Sequence, residues 1–256
     1  MTVNKSALKG IVVTLLILVC LGAAFLAGTK LNGGKKSAGS LEGKGYASGE
    51  EAMQAFAEAF ASKDIDAMYA TCALDSYIDH IDYEEMMEQY GAYIPTQKFL
   101  SGSDETSRKI NLELRKNELS NLFYYMYLHI GTEEDSKVMD LMTLSLKQND
   151  PDEILDALKG PEAVETITLD KVVPAKKYGS TSGMKKGQKS FAKVFGGEIE
   201  SYAARLDIDG EDWVLFADVI EYDDKWYVLR PHGFGGSVMG LPVNYGGLVR
   251  EDAIDN

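Results

Sequence analysis

Cysteine, histidine and proline are scarce in this chain: its 256 residues include two cysteines, three histidines and six prolines. Cys20 lies in an apolar N-terminal run, and Cys72 is alone in the rest of the chain. No disulfide can therefore form within that larger part, which must be stabilised by its core. The few histidines and cysteines form no metal-binding signature, so we expect neither a metal nor another cofactor.

Charged residues are absent from Gly10 to Gly28. At 1.5 Å per residue, a helix of this length spans about 28 Å, close to the hydrocarbon thickness of a bilayer. The run predicts a transmembrane anchor over residues 10–28, preceded by a short basic segment at 1–9. A cleavable signal peptide is the alternative, although its candidate cleavage site, Gly22-x-Ala24, lies inside the apolar run.

A basic N-terminus, an apolar segment and a flexible stretch are typical of exported, anchored proteins. We therefore expect the large domain to be extracytoplasmic, although lysines that follow the anchor would, by the positive-inside rule, leave it in the cytoplasm. Residues 29–46 are rich in glycine, serine and lysine and predict a flexible linker.

The chain also lacks an excess of positive charge. Residues 1–44 hold six of its 26 basic and one of its 40 acidic side chains, which leaves 20 against 39 in the remainder, a formal net charge of −19. Such a charge excludes nucleic acid as a general partner. We expect the partners to be the membrane, through residues 10–28, and an envelope protein or a small ligand.

Helical periodicity dominates the first half of the remaining chain. Ser48 and Glu51 have the spacing of a capping box, and an apolar stripe follows at helical spacing. Further helices are predicted over 65–72 and 82–95, and around 119–130. Two more helical pieces are expected between residues 138 and 160.

From Val164 onward the chain is rich in strand-forming residues. The segments are VETITLDKVV, KSFAKVF, ESYAARLDI, DWVLFADVIEY and KWYVLRP. Helices followed by consecutive strands predict an α+β fold with an antiparallel sheet. We place this domain at 47–231, with a helical insertion at about 97–160 and a Gly-rich tail at 232–256.

SGEEAMQAFAEAFASKDIDAMYATC near the start and DWVLFADVIEYDDKWYVL near the end resemble the nuclear-transport-factor-2-like superfamily. The resemblance covers roughly residues 47–75 and 164–231. It implies N-terminal helices packed across a strongly curved antiparallel sheet, a cone-like fold. Many bacterial members are similar in being tethered behind a membrane segment, and catalytic members use Asp, Tyr or Arg groups on the cavity wall.

Asp218 lies within the apolar segment DWVLFADVIEY. Strand alternation places it on one face with Val214, Phe216, Ile220 and Tyr222. If that face lined a cone cavity, burial would raise the pKa of the carboxyl group and suit it to ligand binding or proton transfer. The alternative is an aspartate at a sheet bulge that is hydrogen-bonded to backbone amides.

The candidate pocket residues are Asp218, Phe216, Tyr202 and Arg205, and His80 is a further candidate if the domain is an enzyme. His80 lies between Asp79 and Asp82, but such a group needs another converging ligand to hold a metal. The segment Asp207–Asp212 departs from the calcium-loop pattern and predicts a hairpin turn.

Lysines accumulate between residues 171 and 193, where no acidic residue occurs. The candidates for binding an anionic surface are Lys176, Lys177, Lys185, Lys186 and Lys189. We expect GSTSGMKKG to form a hairpin loop that presents this charge to phospholipid headgroups or an anionic wall polymer. The alternative is a solvated loop balanced by carboxylates of the domain itself.

These patterns favour a non-catalytic domain, anchored in the membrane, that binds a small ligand or a partner protein outside the cytoplasm. One alternative is a pocket enzyme of the hydrolase or isomerase type that uses a buried carboxylate. The other is a structural subunit of a membrane complex.

Overall fold

The computed structural model of the chain describes residues 40–90, 104–132, 150–152, 160–179 and 181–254. The predicted anchor at 10–28 lies outside these ranges, as do segments 97–103, 133–149 and 153–159 of the predicted helical insertion. Within the described part of the chain, no helix is both long enough and apolar enough to cross a membrane. The described residues from Leu41 onward form one compact unit.

The described helices occur mainly before the sheet. They are α1 (Gly49–Ala61), α2 (Ile65–Thr71), α3 (Asp75–Asp79), α4 (Tyr83–Tyr90), α5 (Glu105–Gly131), α6 (Thr181–Phe195), α7 (Gly233–Val238) and α8 (Glu251–Ile254). Short 3-10 turns span Pro161–Ala163, Ala175–Lys177 and Val243–Tyr245. The predicted stop of the third helix at Pro95 lies outside the described residues.

Five antiparallel strands form one sheet. They are β1 (Ile167–Pro174), β2 (Glu198–Ile208), β3 (Glu211–Tyr222), β4 (Lys225–Pro231) and β5 (Leu248–Arg250). The strand order is β1-β2-β3-β4, and β5 pairs with β3 beyond the end of β4. N-terminal helices packed on an antiparallel sheet confirm the predicted α+β class.

Both faces of the sheet are covered. On one face, helices α1, α2 and α5 pack against alternate residues of β3, including Trp213, Leu215 and Val219. On the other face, residues of α6, α7 and the C-terminal segment pack against Val214 and Phe216. The alternation expected for β3 is therefore confirmed, and burial on both faces explains why the strand has so few polar residues.

The N-terminus of α1 has the predicted serine cap. Ser48 Oγ accepts a hydrogen bond from the Glu51 amide at 3.2 Å. Glu51 reaches back to the Ala47 amide at 3.1 Å, one residue earlier than in a standard capping box. These bonds satisfy amide donors at a helix start that would otherwise lack partners.

KSFAKVF is helical, so the predicted strand there is wrong. The hairpin loop predicted for GSTSGMKKG is also wrong, because residues 181–187 of this segment, like KSFAKVF, belong to α6. Met184, Phe191 and Phe195 recur at helical spacing and turn inward, whereas the lysines between them are exposed. The helix can bury an apolar face against the sheet, which a short isolated strand could not do.

The flexible linker predicted for 29–46 extends too far along the chain at its C-terminal end. The Glu42 carboxylate is buried and accepts hydrogen bonds from the Leu74 amide at 2.5 Å and the Ser76 hydroxyl at 2.6 Å. Tyr46 exchanges two backbone hydrogen bonds with Trp226 of β4, each 2.9 Å long. Residues 41–46 therefore belong to the folded unit, because Glu42 supplies an acceptor at the start of α3.

Candidate functional site

Asp218 is fully buried in β3, at the point where the pairing between β3 and β4 shifts register. Its Oδ1 accepts a hydrogen bond from Ser201 Oγ at 2.5 Å. Both of its carboxylate oxygens accept from the Phe234 amide, at 3.0 and 2.9 Å. The geometry matches the alternative expected from the sequence, an aspartate at a bulge that binds a backbone amide.

Burial raises the pKa of Asp218, and several polar groups act against this effect. Arg230 is the first of these groups, with its Nε 3.7 Å from Asp218 Oδ2. Arg230 Nε is itself buried without a hydrogen-bond partner, and the guanidinium group lies 5.0 Å from the centre of the Phe234 ring. The carboxylate is therefore held in place within the protein and has no contact with solvent.

The polar residues form a row across three strands. Ser201 of β2 lies opposite Asp218 of β3, and Asp218 lies opposite Arg230 of β4. Helix α6 covers this row, with Gln188 Nε2 donating to Ser201 Oγ at 2.9 Å. Gly233 permits the close approach of α7, since a Cβ there would lie 2.5 Å from the Asp218 carboxyl carbon.

The structure separates the four pocket candidates. Phe216 is fully buried on the same face as Asp218, where its ring contacts Tyr178 edge-on. Arg205 lies farther along that face and forms an ion pair with Glu251 of α8. Tyr202 belongs to the opposite face, where its hydroxyl donates to Glu200 at 2.7 Å. Burial raises the pKa of Tyr202.

A cleft of about 370 Å³ lies between β2 and α6. Its lining includes Lys176, Lys185, Gln188, Glu198, Ser201 and Tyr202. Asp218 and Phe216 are not part of this lining; Asp218 lies behind Ser201. Of the four pocket candidates, Tyr202 is the one that reaches the cleft.

The cleft follows an unpaired part of β2. Strand β1 ends with Pro174 opposite Tyr202, so β2 residues 198–201 pair with β3 on one edge and with no described strand on the other. The chain then turns away through Ala175–Lys177. Proline suits this position, because it cannot continue the ladder with an N–H donor.

The lysine candidates lie around this cleft. All five are exposed, and none forms an ion pair with a residue in the described part of the chain. Lys176 and Lys177 belong to the turn after β1, whereas the other three lie on α6. Lys176 and Lys185 line the cleft itself, so the fold brings together two separate parts of the lysine-rich segment.

No protein-family model matches this chain, and no curated protein matches it. One solved structure is similar. It is a cystatin-like protein from Ruminococcus gnavus with 14% sequence identity and a TM-score of 0.38, and the match covers 70% of this chain and 39% of that chain. A likeness of this size carries no argument about ligand or activity.

His80, Asp79 and Asp82 have separate structural contacts. His80 Nδ1 lies 2.8 Å from the Ser76 carbonyl oxygen, Asp79 binds Arg108, and Asp82 accepts a hydrogen bond at the start of α4. Within the described ranges, no group of three or more His, Cys, Asp or Glu residues could hold a metal ion.

The predicted turn between β2 and β3 is confirmed. Asp209 and Gly210 both have positive φ, as a tight two-residue hairpin turn requires. The Asp209 carboxylate also accepts hydrogen bonds from the amides of Glu165 and Thr166.

Sequence reasoning missed Arg115. Its side chain is almost fully buried on α5 and donates to the Ala73 carbonyl at 3.2 Å and to the Leu229 carbonyl. The guanidinium group also lies 4.1 Å from the centre of the Tyr77 ring. The sequence offered no signal for this role, because the acceptors are backbone carbonyls from distant segments.

Proposed function

We propose that this chain is a non-catalytic binding domain that uses the cleft between β2 and α6. The observation that supports this proposal most directly is the cleft itself, where Lys176 and Lys185 lie beside the polar side chains of Gln188 and Ser201. An unpaired ammonium group at a cleft wall can bind an anionic ligand group with little reorganisation of the protein. The ligand is therefore an anionic small molecule or an anionic part of a partner protein.

The pocket-enzyme alternative has less support. Both Asp218 oxygens are engaged by the Phe234 amide, and the side chain has no exposed surface. A general base must come within hydrogen-bond reach of the proton that it removes. The third alternative is a structural subunit of a membrane complex. It differs from the main proposal in that another subunit of that complex would fill the cleft.

We also propose that the domain has the cone-like fold of the superfamily that it resembles and is tethered outside the cytoplasm. The five-stranded antiparallel sheet and the helices packed across it support the fold. The uncharged run at 10–28 supports the tether. A C-terminal tag that stays protected from protease in intact cells would contradict the extracytoplasmic placement.

Native mass spectrometry of the full-length chain in detergent tests the binding proposal. We expect an anionic molecule or partner to accompany the folded protein and to be released on denaturation. The double variant Lys176→Gln/Lys185→Gln should lose this species. The matched control Lys109→Gln/Lys225→Gln also removes two exposed charges, but away from the cleft, and should keep it. Equal retention by both variants would refute the assignment.

A further inference from the structure

The unpaired edge of β2 offers backbone groups as well as charge. We propose that residues 198–201 bind an extended acidic segment of a partner protein as an added β-strand. This inference rests on the proposed binding role of the cleft and names the chemistry of the partner. It goes further in requiring main-chain hydrogen bonds to the sheet.

Among the described residues, no strand pairs with the backbone groups on the second edge of 198–201. Residues 198–201 face Ile220, Val219 and their neighbours of β3 along one edge. In an antiparallel ladder, alternate residues direct N–H and C=O groups to opposite edges, so roughly two of these residues point them toward the cleft. Exposed strand edges of this kind bind extended peptides by strand addition.

The end of β1 leaves space for such a strand. The chain departs from the sheet after Pro174, and the cleft lies along the part of β2 beyond this point, with Met184 and Gln188 of α6 in its wall. A segment of four residues is about 13 Å long in a strand. It would continue the line of β1 past Tyr202.

The charges beside this edge of β2 favour a peptide in which acidic residues alternate with neutral or basic ones. Ser201 faces the α6 side, where Lys176 and Lys185 line the cleft. By strand alternation, Glu198 lies on the other face with Glu200. An added strand therefore fits best with acidic side chains toward the lysines and neutral or basic side chains toward the two glutamates.

The surrounding surface strengthens this preference. Lys177, Lys186 and Lys189 are exposed near the cleft and form no ion pair within the described part of the chain. The chain carries a formal net charge of −14, so this lysine cluster is a local reversal of sign. It would guide an acidic segment to the edge and disfavour a basic one.

Fluorescence anisotropy with a labelled hexapeptide of alternating threonine and aspartate tests the inference on the full-length chain in detergent. One control peptide has the same residues in two blocks, and another carries N-methyl groups on alternate amides. N-methylation removes main-chain donors without changing the charge. We expect the N-methylated control to bind about tenfold more weakly, as the loss of one or two hydrogen bonds implies. The block control should also bind more weakly, because strand alternation would turn at least one of its aspartates toward Glu198 and Glu200.

The protein variants provide the second comparison. Lys176→Gln/Lys185→Gln should weaken binding of the alternating peptide about fivefold or more, and Lys109→Gln/Lys225→Gln should leave it unchanged. Equal affinity for the alternating and N-methylated peptides would overturn strand addition. If that binding still depended on Lys176 and Lys185, the anion-binding cleft would stand, which separates failure of this inference from failure of the proposed function.

Mixed micelles of the same detergent with phosphatidylglycerol distinguish a lipid from a protein partner. We expect the alternating peptide to bind in their presence with unchanged affinity. Tight binding of phosphatidylglycerol that depends on Lys176 and Lys185, together with no measurable binding of the peptide, would overturn the choice of a protein segment as the occupant.

Discussion

Substitution of Asp218 by alanine removes the acceptor at the centre of the polar row. The Phe234 amide and the Ser201 hydroxyl would both lose their partner. A buried donor without an acceptor costs about 1–3 kcal/mol. Loss of the carboxylate also removes the cost of burying its charge, and this offsets part of the penalty from the two unpaired donors. We therefore expect Asp218→Ala to lower the free energy of unfolding by about 3 kcal/mol near neutral pH.

Asparagine preserves most of these contacts. Its carbonyl oxygen can accept from the Phe234 amide, and its amide group can donate to Ser201 Oγ, which lies beside the cleft. Asp218→Asn should therefore cost only about 1 kcal/mol near neutral pH. The difference between the two variants measures how much the row depends on an acceptor rather than on a charge.

The pH dependence follows from the raised pKa of Asp218, whose main cause is burial. A raised folded-state pKa means that the folded chain binds the proton more tightly than the unfolded chain. The resulting stabilisation is complete below the unfolded-state pKa and is lost as the pH rises through the folded-state pKa. The cost of Asp218→Asn should thus increase as the pH falls, by about 1.4 kcal/mol for each pKa unit of elevation.

Urea unfolding, monitored by the fluorescence of Trp213 and Trp226, measures these differences across the acidic range. Burial also raises the pKa of Glu42, but Glu42 is present in both proteins and largely cancels in their difference. A cost of Asp218→Asn that shrinks as the pH falls would refute the reasoning, because it would mean that the folded state favours the charged carboxylate.

Two further substitutions test contacts that stabilise the fold. Arg115→Met leaves the carbonyls of Ala73 and Leu229 without their donor and should lower the free energy of unfolding by about 4 kcal/mol in urea unfolding. Arg108→Met, two turns earlier on the same helix, removes partly exposed ion pairs with Asp75 and Asp79 and should cost about 1 kcal/mol or less. Equal costs would refute the structural role of Arg115. Glu42→Ala should cost about 3 kcal/mol and speed amide hydrogen exchange at the start of α3, and unchanged exchange there would contradict the capping role.

The sequence predicted most of the fold because its periodic signals are local. The capping serine of α1, the alternation along β3 and the Asp209–Gly210 turn each depend on residues that are neighbours in sequence. Helix α6 was missed because KSFAKVF is too short for its periodicity to distinguish a strand from a helix. Its apolar face becomes evident when the preceding residues, back to Met184, are included.

The site was less predictable because it depends on register between distant segments. Strand alternation alone could not show that Ser201 lies opposite Asp218 while Tyr202 turns to the other face. The lysine cluster was visible in the sequence, but its position beside the part of β2 that lacks a described partner strand depends on where β1 ends. Glu42 gave no signal, since a single charged residue in a Gly-rich segment is usually exposed.

The contacts of residues 42–46 determine where mechanical force would enter the domain. A pull along the chain from its N-terminal side reaches the Glu42 carboxylate and then the paired backbone of Tyr46 before it reaches α1. Glu42 directs that load to the start of α3, and Tyr46 directs it to Trp226 in β4. The first helix is thus shielded from tension by two attachments on different parts of the fold.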